Sequence, residues 1–269
     1  MRVAALCFSP TGTTRTVCAT VARGIGDPRP TVLDLTLPGD RTAIRRDARV
    51  VALPFDHVVV GIPVYLGKIP PLASEVLSAI RGHGRRATAV AVYGNRDFGV
   101  ALRRLCETLV EGGFELVSAA AFVGQHSYSG IIPVALGRPD DADLSSAQRF
   151  GARSARVETA LEPGDVEEQL DIFSKSTSYE GLYPTYSGEA CTECGECHAA
   201  CPAELIAEAT GEYIDADSRD RCIGCLACVR ACPGEGRRLQ ASLVQRLMVR
   251  WVLRKAARER QEPRVFFAA

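Results

Sequence analysis

Short apolar runs alternate with segments of helical spacing through the first part of the chain. Arg2–Phe8 reads as a strand, Thr13–Arg23 as a helix with small and apolar residues on one face, and Thr31–Leu35 as a second strand. His57-Val-Val-Val-Gly-Ile62 is apolar without alternation, as expected of a parallel strand buried on both faces. A helix over Pro71–Ile80 follows, with Pro at its start, where the missing N–H costs little. Ala87–Tyr93 and Phe114–Val123 supply two more strands, and Val100–Val110 and Leu144–Leu161 two more helices. Strands alternating with helices predict βαβ units, hence an α/β fold with a doubly wound, five-stranded parallel sheet. The pattern leaves the strand order open.

Glu162-Pro-Gly164 breaks this rhythm. The expected organisation is a first domain over 1–163, a connector over 164–188, a cysteine-rich domain over 189–236 and a basic amphipathic helix with its tail over 237–269. Within the connector, Asp165–Ser174 reads as one more short helix, and Thr177–Gly188 is rich in Ser, Tyr, Gly and Pro. The 32 Lys+Arg balance 32 Asp+Glu, which argues against a strongly cationic nucleic-acid binder. No apolar stretch reaches the ~18 residues of a membrane span, and Met1–Phe8 ends in a Gly/Thr loop without a signal-peptide cleavage site. The expectation is a cytoplasmic protein. With four His and no His/carboxylate cluster, a di-iron or hydrolytic metal site is not indicated.

The 11 cysteines change the picture. Cys7, Cys18 and Cys106 are scattered at strand or helix positions and read as small buried hydrophobes. The others form two copies of one spacing: Cys191-x-x-Cys194-x-x-Cys197-x-x-x-Cys201-Pro202 and Cys222-x-x-Cys225-x-x-Cys228-x-x-x-Cys232-Pro233. A disulfide framework has no reason to repeat such a spacing, and the third regularly placed Cys of each run is surplus to a zinc knuckle. Three thiolates at i, i+3 and i+6 wrap one face of a cubane. In doubled runs of this kind the fourth Cys of each serves the other cluster. This assigns Cys191, Cys194, Cys197 and Cys232 to cluster I, and Cys222, Cys225, Cys228 and Cys201 to cluster II. The stretch resembles the bacterial two-cluster [4Fe–4S] ferredoxins, which implies a small α+β domain and low-potential one-electron transfer. Glu189, Glu193 and Glu196 lie near cluster I in sequence, and Arg219, Arg221 and Arg230 near cluster II. On charge alone cluster I is expected at the lower potential.

Ser9-Pro-Thr11-Gly12-Thr13-Thr14 sits between the first strand and helix, where hydroxyls and amides meet a helix N-terminus. It lacks the Gly-Lys-Ser/Thr of an NTPase loop and the glycine fingerprint of a dinucleotide site; a monophosphate suits it better, with a plain N-cap turn as the alternative. Two more loops follow strands at the same sheet end, Pro63-Val-Tyr-Leu-Gly-Lys-Ile-Pro70 and Tyr93-Gly-Asn-Arg-Asp-Phe-Gly99. Together the three resemble the FMN loops of flavodoxins. By that resemblance Ser9, Thr11, Gly12, Thr13 and Thr14 hold the phosphate. Pro63, Val64, Tyr65, Leu66, Gly67 and Lys68, with Tyr93, Gly94, Asn95, Arg96 and Phe98, line the flavin. Tyr65 or Tyr93 offers a ring for stacking, or is a core tyrosine. His126-Ser-Tyr128-Ser either closes over the same site or is a solvated loop.

Leu239, Leu243, Val244, Leu247, Met248, Trp251 and Val252 form an apolar stripe within a basic segment over Arg237–Arg260, for packing on a domain, docking a partner or touching an anionic membrane. The whole arrangement resembles flavodoxin–ferredoxin fusion proteins. That resemblance implies FMN, two [4Fe–4S] clusters and electron transfer with redox protein partners. The alternatives are a flavin-dependent oxidoreductase acting on a nicotinamide or other small organic substrate, and a redox sensor.

Overall fold

The computed structural model describes residues 1–169 and 182–268. Its main sheet is built from β1 (Val3–Cys7), β2 (Thr31–Asp34), β3 (His57–Pro63), β4 (Arg86–Tyr93) and β5 (Glu115–Val123), all parallel, in the order β2-β1-β3-β4-β5. This is the flavodoxin-type order, in which the chain reverses direction across β1 and β3. Successive side chains of each strand enter opposite layers. Ala119, Ala121 and Val123 of β5 join one core, and Ala120 and Phe122 the other. The second core is closed by α1 (Thr13–Ile25), with α5 (Asp141–Ser154) beside it. The first is closed by α3 (Pro71–Leu77) and α4 (Ala101–Glu111). Cys7, Cys18 and Cys106 are buried in these layers.

Several features depart from the sequence pattern. Helix α2 (Pro38–Arg46) buries no residue, so no apolar stripe announces it. It serves as a bracket: Arg41 donates to Leu35 O and Thr36 O on one side and to Pro202 O, at 2.6 Å, on the other. Helix α5 begins at Asp141 rather than Leu144, because Asp140 and Asp143 form a capping box, and it ends at Ser154. Of the helix expected from Asp165, residues 163–165 form a single 3-10 turn, and residues from 170 lie outside the described ones.

The cysteine-rich part holds a two-stranded antiparallel pair, β6 (Thr185–Tyr186) and β7 (Arg237–Arg238). Between them run three short helices, α6 (Glu196–Ala199), α7 (Ser218–Arg221) and α8 (Ala227–Ala231). It does not stand apart: Ile223, Cys225 and Ala227 belong to the same apolar cluster as the α3/α4 layer, with Tyr65 packed against it. The basic segment is helical only as α9 (Leu243–Leu253), started by a Ser242/Gln245 capping box. The chain then returns to the first domain, and β8 (Arg264–Phe266) pairs antiparallel with β5 as a sixth strand. The sheet therefore exceeds the five strands expected.

The return is held by a polar knot. Asn95 donates to Ala256 O and Glu259 O, both at 2.7 Å, and accepts from Gln261 N at 3.0 Å and from Arg138 at 3.3 Å. Arg138 forms a bidentate pair with Asp143, the two side chains being only 5% and 2% exposed, and donates to Gln261 O at 2.9 Å. Arg260 adds bonds to Asp140 at 2.8 Å and to Asp143 at 3.3 Å. Asp143→Asn strips this buried guanidinium of its counter-charge, and equilibrium denaturation should register a loss of about 3–5 kcal/mol.

Candidate functional site

The loops after β1, β3, β4 and β5 converge at the C-terminal edge of the sheet, the usual ligand side of open α/β sheets. In the first, Gly12 adopts φ 81°, a left-handed conformation that turns the chain directly into α1. Ser9 fixes the loop: its amide donates to Thr36 Oγ1 at 2.8 Å, and its hydroxyl accepts from the Arg15 amide at 2.9 Å. The amides of Thr13 and Thr14, in the first turn, have no intrahelical acceptor and face outward with the positive end of the helix dipole.

The second loop is a tight turn in which Tyr65 and Lys68 exchange backbone bonds of 3.1 Å, with Leu66 at φ 52° and Gly67 at φ 73°. Positive φ at both central residues is the primed-turn geometry, and a non-glycine residue there marks local strain. Tyr65 is thereby presented against Cys225, and burial raises its phenol well above the ordinary range. The third loop follows β4. Gly94 is required there, since a Cβ would lie 2.5 Å from the His126 ring.

These loops enclose a cavity of about 420 Å³, within the size range of small-cofactor sites. Of the sequence-derived residues, Ser9, Thr11, Thr13, Thr14, Pro63, Val64, Tyr65, Leu66, Gly67, Tyr93, Gly94 and Arg96 line it. Four others stand apart from the lining. Gly12 shapes the turn behind it. Lys68 faces a separate hollow beside Arg104 and Glu107. Phe98 is fully buried and packs edge-on to Tyr93 at 5.6 Å. Asn95 is engaged in the C-terminal knot. The His126 loop does close on the cavity, with Nδ1 accepting from Tyr128 N at 3.0 Å.

The opposite wall has no counterpart in the sequence reading. Gln245, Met248, Val249, Val252 and Leu253 of α9 form it, together with Ile223 and Gly224 from the cysteine block. The clue available in sequence was the apolar stripe of α9; its destination depends on the tail strand.

Beside this cavity the cysteines gather into two sets. Cys191, Cys194, Cys197 and Cys232 line one hollow, and Cys201, Cys222, Cys225 and Cys228 line another. Each set draws three residues from one run and one from the other. Amides point at the sulfurs: Glu193 N to Cys191 Sγ at 3.4 Å, Leu205 N to Cys201 Sγ at 3.4 Å and Arg237 N to Cys232 Sγ at 3.3 Å. Left as a thiol, Cys228 is pushed up to about 12, chiefly by burial. Thiolates in such a place call for a multivalent cationic core.

Residues 183–233 match the protein-family model described as a 4Fe-4S dicluster domain. No curated protein gives a significant match. Among solved structures, the chain is similar to a flavodoxin from the domain Archaea (19% identity, TM-score 0.40, covering 58% of this chain and 96% of that one). It is also similar to an oxidised flavodoxin from Bacillus cereus (19%, 0.41, 57% and 97%) and to an NADH:FMN oxidoreductase in its apo form (19%, 0.43, 61% and 92%). The strand order itself carries the fold assignment. The chain joins a flavodoxin-type α/β domain to a segment that matches the 4Fe-4S dicluster model.

Burial, reinforced by Arg96, lowers His126 to about 4 from an ordinary 6.5. An unfolded chain takes up this proton near pH 6.5 and the folded one only near 4. The contribution to stability is therefore complete above pH 6.5 and declines below it, by up to about 1.4 kcal/mol per pH unit. Imidazole NMR should place the His126 midpoint near 4, and denaturation at pH 7 and pH 5 should show a smaller difference for His126→Gln than for the parent.

Proposed function

We propose that the chain is an electron-transfer iron–sulfur flavoprotein with FMN in the large cavity and a [4Fe–4S] cluster in each cysteine hollow. The donor chemistry supports each group. For FMN, the cavity offers hydroxyls and first-turn amides at one end, suited to a phosphate dianion, and apolar walls with Tyr65 and Tyr93 at the other. For the clusters, four thiols surround a hollow instead of meeting at a point, and among the described residues no His/Cys/Asp/Glu group is close enough for a single ion. FMN exchanges one or two electrons and each cluster one, so the pair joins two-electron and one-electron chemistry.

One observation carries the reading: Ile223 and Gly224, between cluster ligands Cys222 and Cys225, line the same cavity as the phosphate loop. The flavin and cluster II thus share a wall within a single chain, with Tyr65 packed between. A cluster loop that walls the flavin cavity favours a carrier over an enzyme that takes hydride from a dissolved substrate.

Anaerobic purification should yield one FMN and two clusters' worth of iron and sulfide per chain, and the protein should show no NAD(P)H turnover without a partner reductase. Thr14→Val, which removes a buried hydroxyl lining the cavity, should raise the Kd for FMN roughly 10- to 100-fold, the loss of a hydrogen bond to a charged group of about 1.5–3 kcal/mol.

Partners include redox proteins and, through α9, an anionic membrane surface. Val249 and Leu253 pack inward, whereas Leu243, Val244, Leu247, Met248 and Trp251 are each more than half exposed. The helix carries Arg246 and Arg250 and no acidic residue, the chemistry of an interfacial helix on anionic lipid. Flotation with phosphatidylserine vesicles should bring the parent up and leave the Leu247→Glu/Trp251→Glu double variant behind; a parent that stays down on anionic vesicles removes the membrane from the list of partners.

A further inference from the structure

Arg237 heads the largest fully buried side chains, at 2% exposure, and it lies between the two cysteine sets. Its Nη2 donates to Gly211 O at 2.5 Å, but Nε and Nη1 are buried without a hydrogen-bond partner. Among the described residues no carboxylate pairs with it. The guanidinium sits 4.5 Å from the Tyr213 ring centre and 5.6 Å from that of Tyr186, which supply only the partial negative charge of a π face. Arginine cannot shed its proton, and an uncompensated buried cation costs several kcal/mol. The counter-charge must come from neighbouring groups that ionise only when the hollow beside it is filled.

The surroundings indicate what that is. The Arg237 side chain lines the hollow of Cys191, Cys194, Cys197 and Cys232, and its backbone amide donates to Cys232 Sγ. The Tyr213 ring that the guanidinium faces lines the hollow of Cys201, Cys222, Cys225 and Cys228, which places the charge beside the other set as well. Four thiolates outweigh the positive charge of a [4Fe–4S] core, so each occupied hollow is anionic, and each one-electron reduction makes it more so. The arginines singled out by sequence are poorly placed by comparison. Arg219, Arg221 and Arg230 are exposed, and Arg221 is held by Asp215 at 2.5 Å. Water and salt screen such charges, whereas a guanidinium sealed from solvent acts at full strength.

We propose that Arg237 is the internal counter-cation of both clusters, stabilising their reduced states and raising both reduction potentials. This rests on the two-cluster reading above. The residue transfers neither electron nor proton; it is a positioning charge, fixed by the β6/β7 pair and Gly211.

The test is an EPR-monitored anaerobic titration of the full chain with dithionite, with iron and sulfide counted, on the parent, Arg237→Lys and Arg237→Gln. Arg237→Gln should weaken reduction of both clusters at least tenfold, a fall of 59 mV for a one-electron couple. Arg237→Lys should stay within about threefold of the parent. Unchanged midpoints in a fully loaded Arg237→Gln protein overturn the inference, as does an Arg237→Lys protein shifted as far as the Gln variant. If Arg237→Gln fails to hold its clusters, retention by Arg237→Lys at parent-like midpoints supports the charge requirement, and loss from both variants refutes it. A parent devoid of clusters would instead overturn the functional reading, before any variant is compared.

Discussion

The architecture depends on the complete saturation of one buried amide. Asn95 has two N–H donors and an oxygen with two acceptor positions, and all four are engaged: two by carbonyls of the segment after α9, one by the Gln261 amide and one by Arg138. A residue in the loop after β4 thus holds the chain that descends from the cysteine-rich part. With that hold in place, α9 lies across the cavity, Arg260 reaches Asp140 and Asp143, and β8 finds its register on β5. Without it, the cavity would keep the Ser9–Thr14 loop and lose a wall.

The junction of the two domains follows a different logic. The loop of Cys222–Cys225 enters the apolar layer of the sheet domain, so burial of Ile223 and Cys225 serves the core and the redox site together. A tether alone raises the effective concentration of one centre at another. Here the contact is packed, and Arg41 adds a polar bracket to Pro202 on the far side. A flavin in this cavity would meet the same cluster at each turnover.

Sequence made the central strands and the cysteine sets legible for a shared reason: both are local patterns whose meaning does not depend on a distant partner. An unbroken apolar run such as Val58–Ile62 suits a strand buried on both faces, and a repeated cysteine spacing has few other uses. What stayed hidden is contextual. Arg264–Phe266 is too short and too mixed to declare itself a strand, and becomes one only against β5. Asn95 lies in a loop that resemblance assigns to flavin, yet its side chain serves the tail. Arg237 follows the last cysteine as one of two adjacent arginines, and nothing in the pattern distinguishes the buried one from its exposed neighbour Arg238. The signs of the charges were readable; their depth was not.

The position of α9 also bears on the order of biosynthesis. The Ser9–Thr14 loop, the Tyr65 turn and the His126 loop all lie within the first 130 residues, whereas α9 and β8 come from residues 243–266. Domains fold as they emerge, N-terminal part first. On a ribosome the floor of the cavity is therefore finished while its roof is still untranslated. The nascent chain passes through a stage with an open, shaped basin, and arrival of the later segment gives that basin its facing wall.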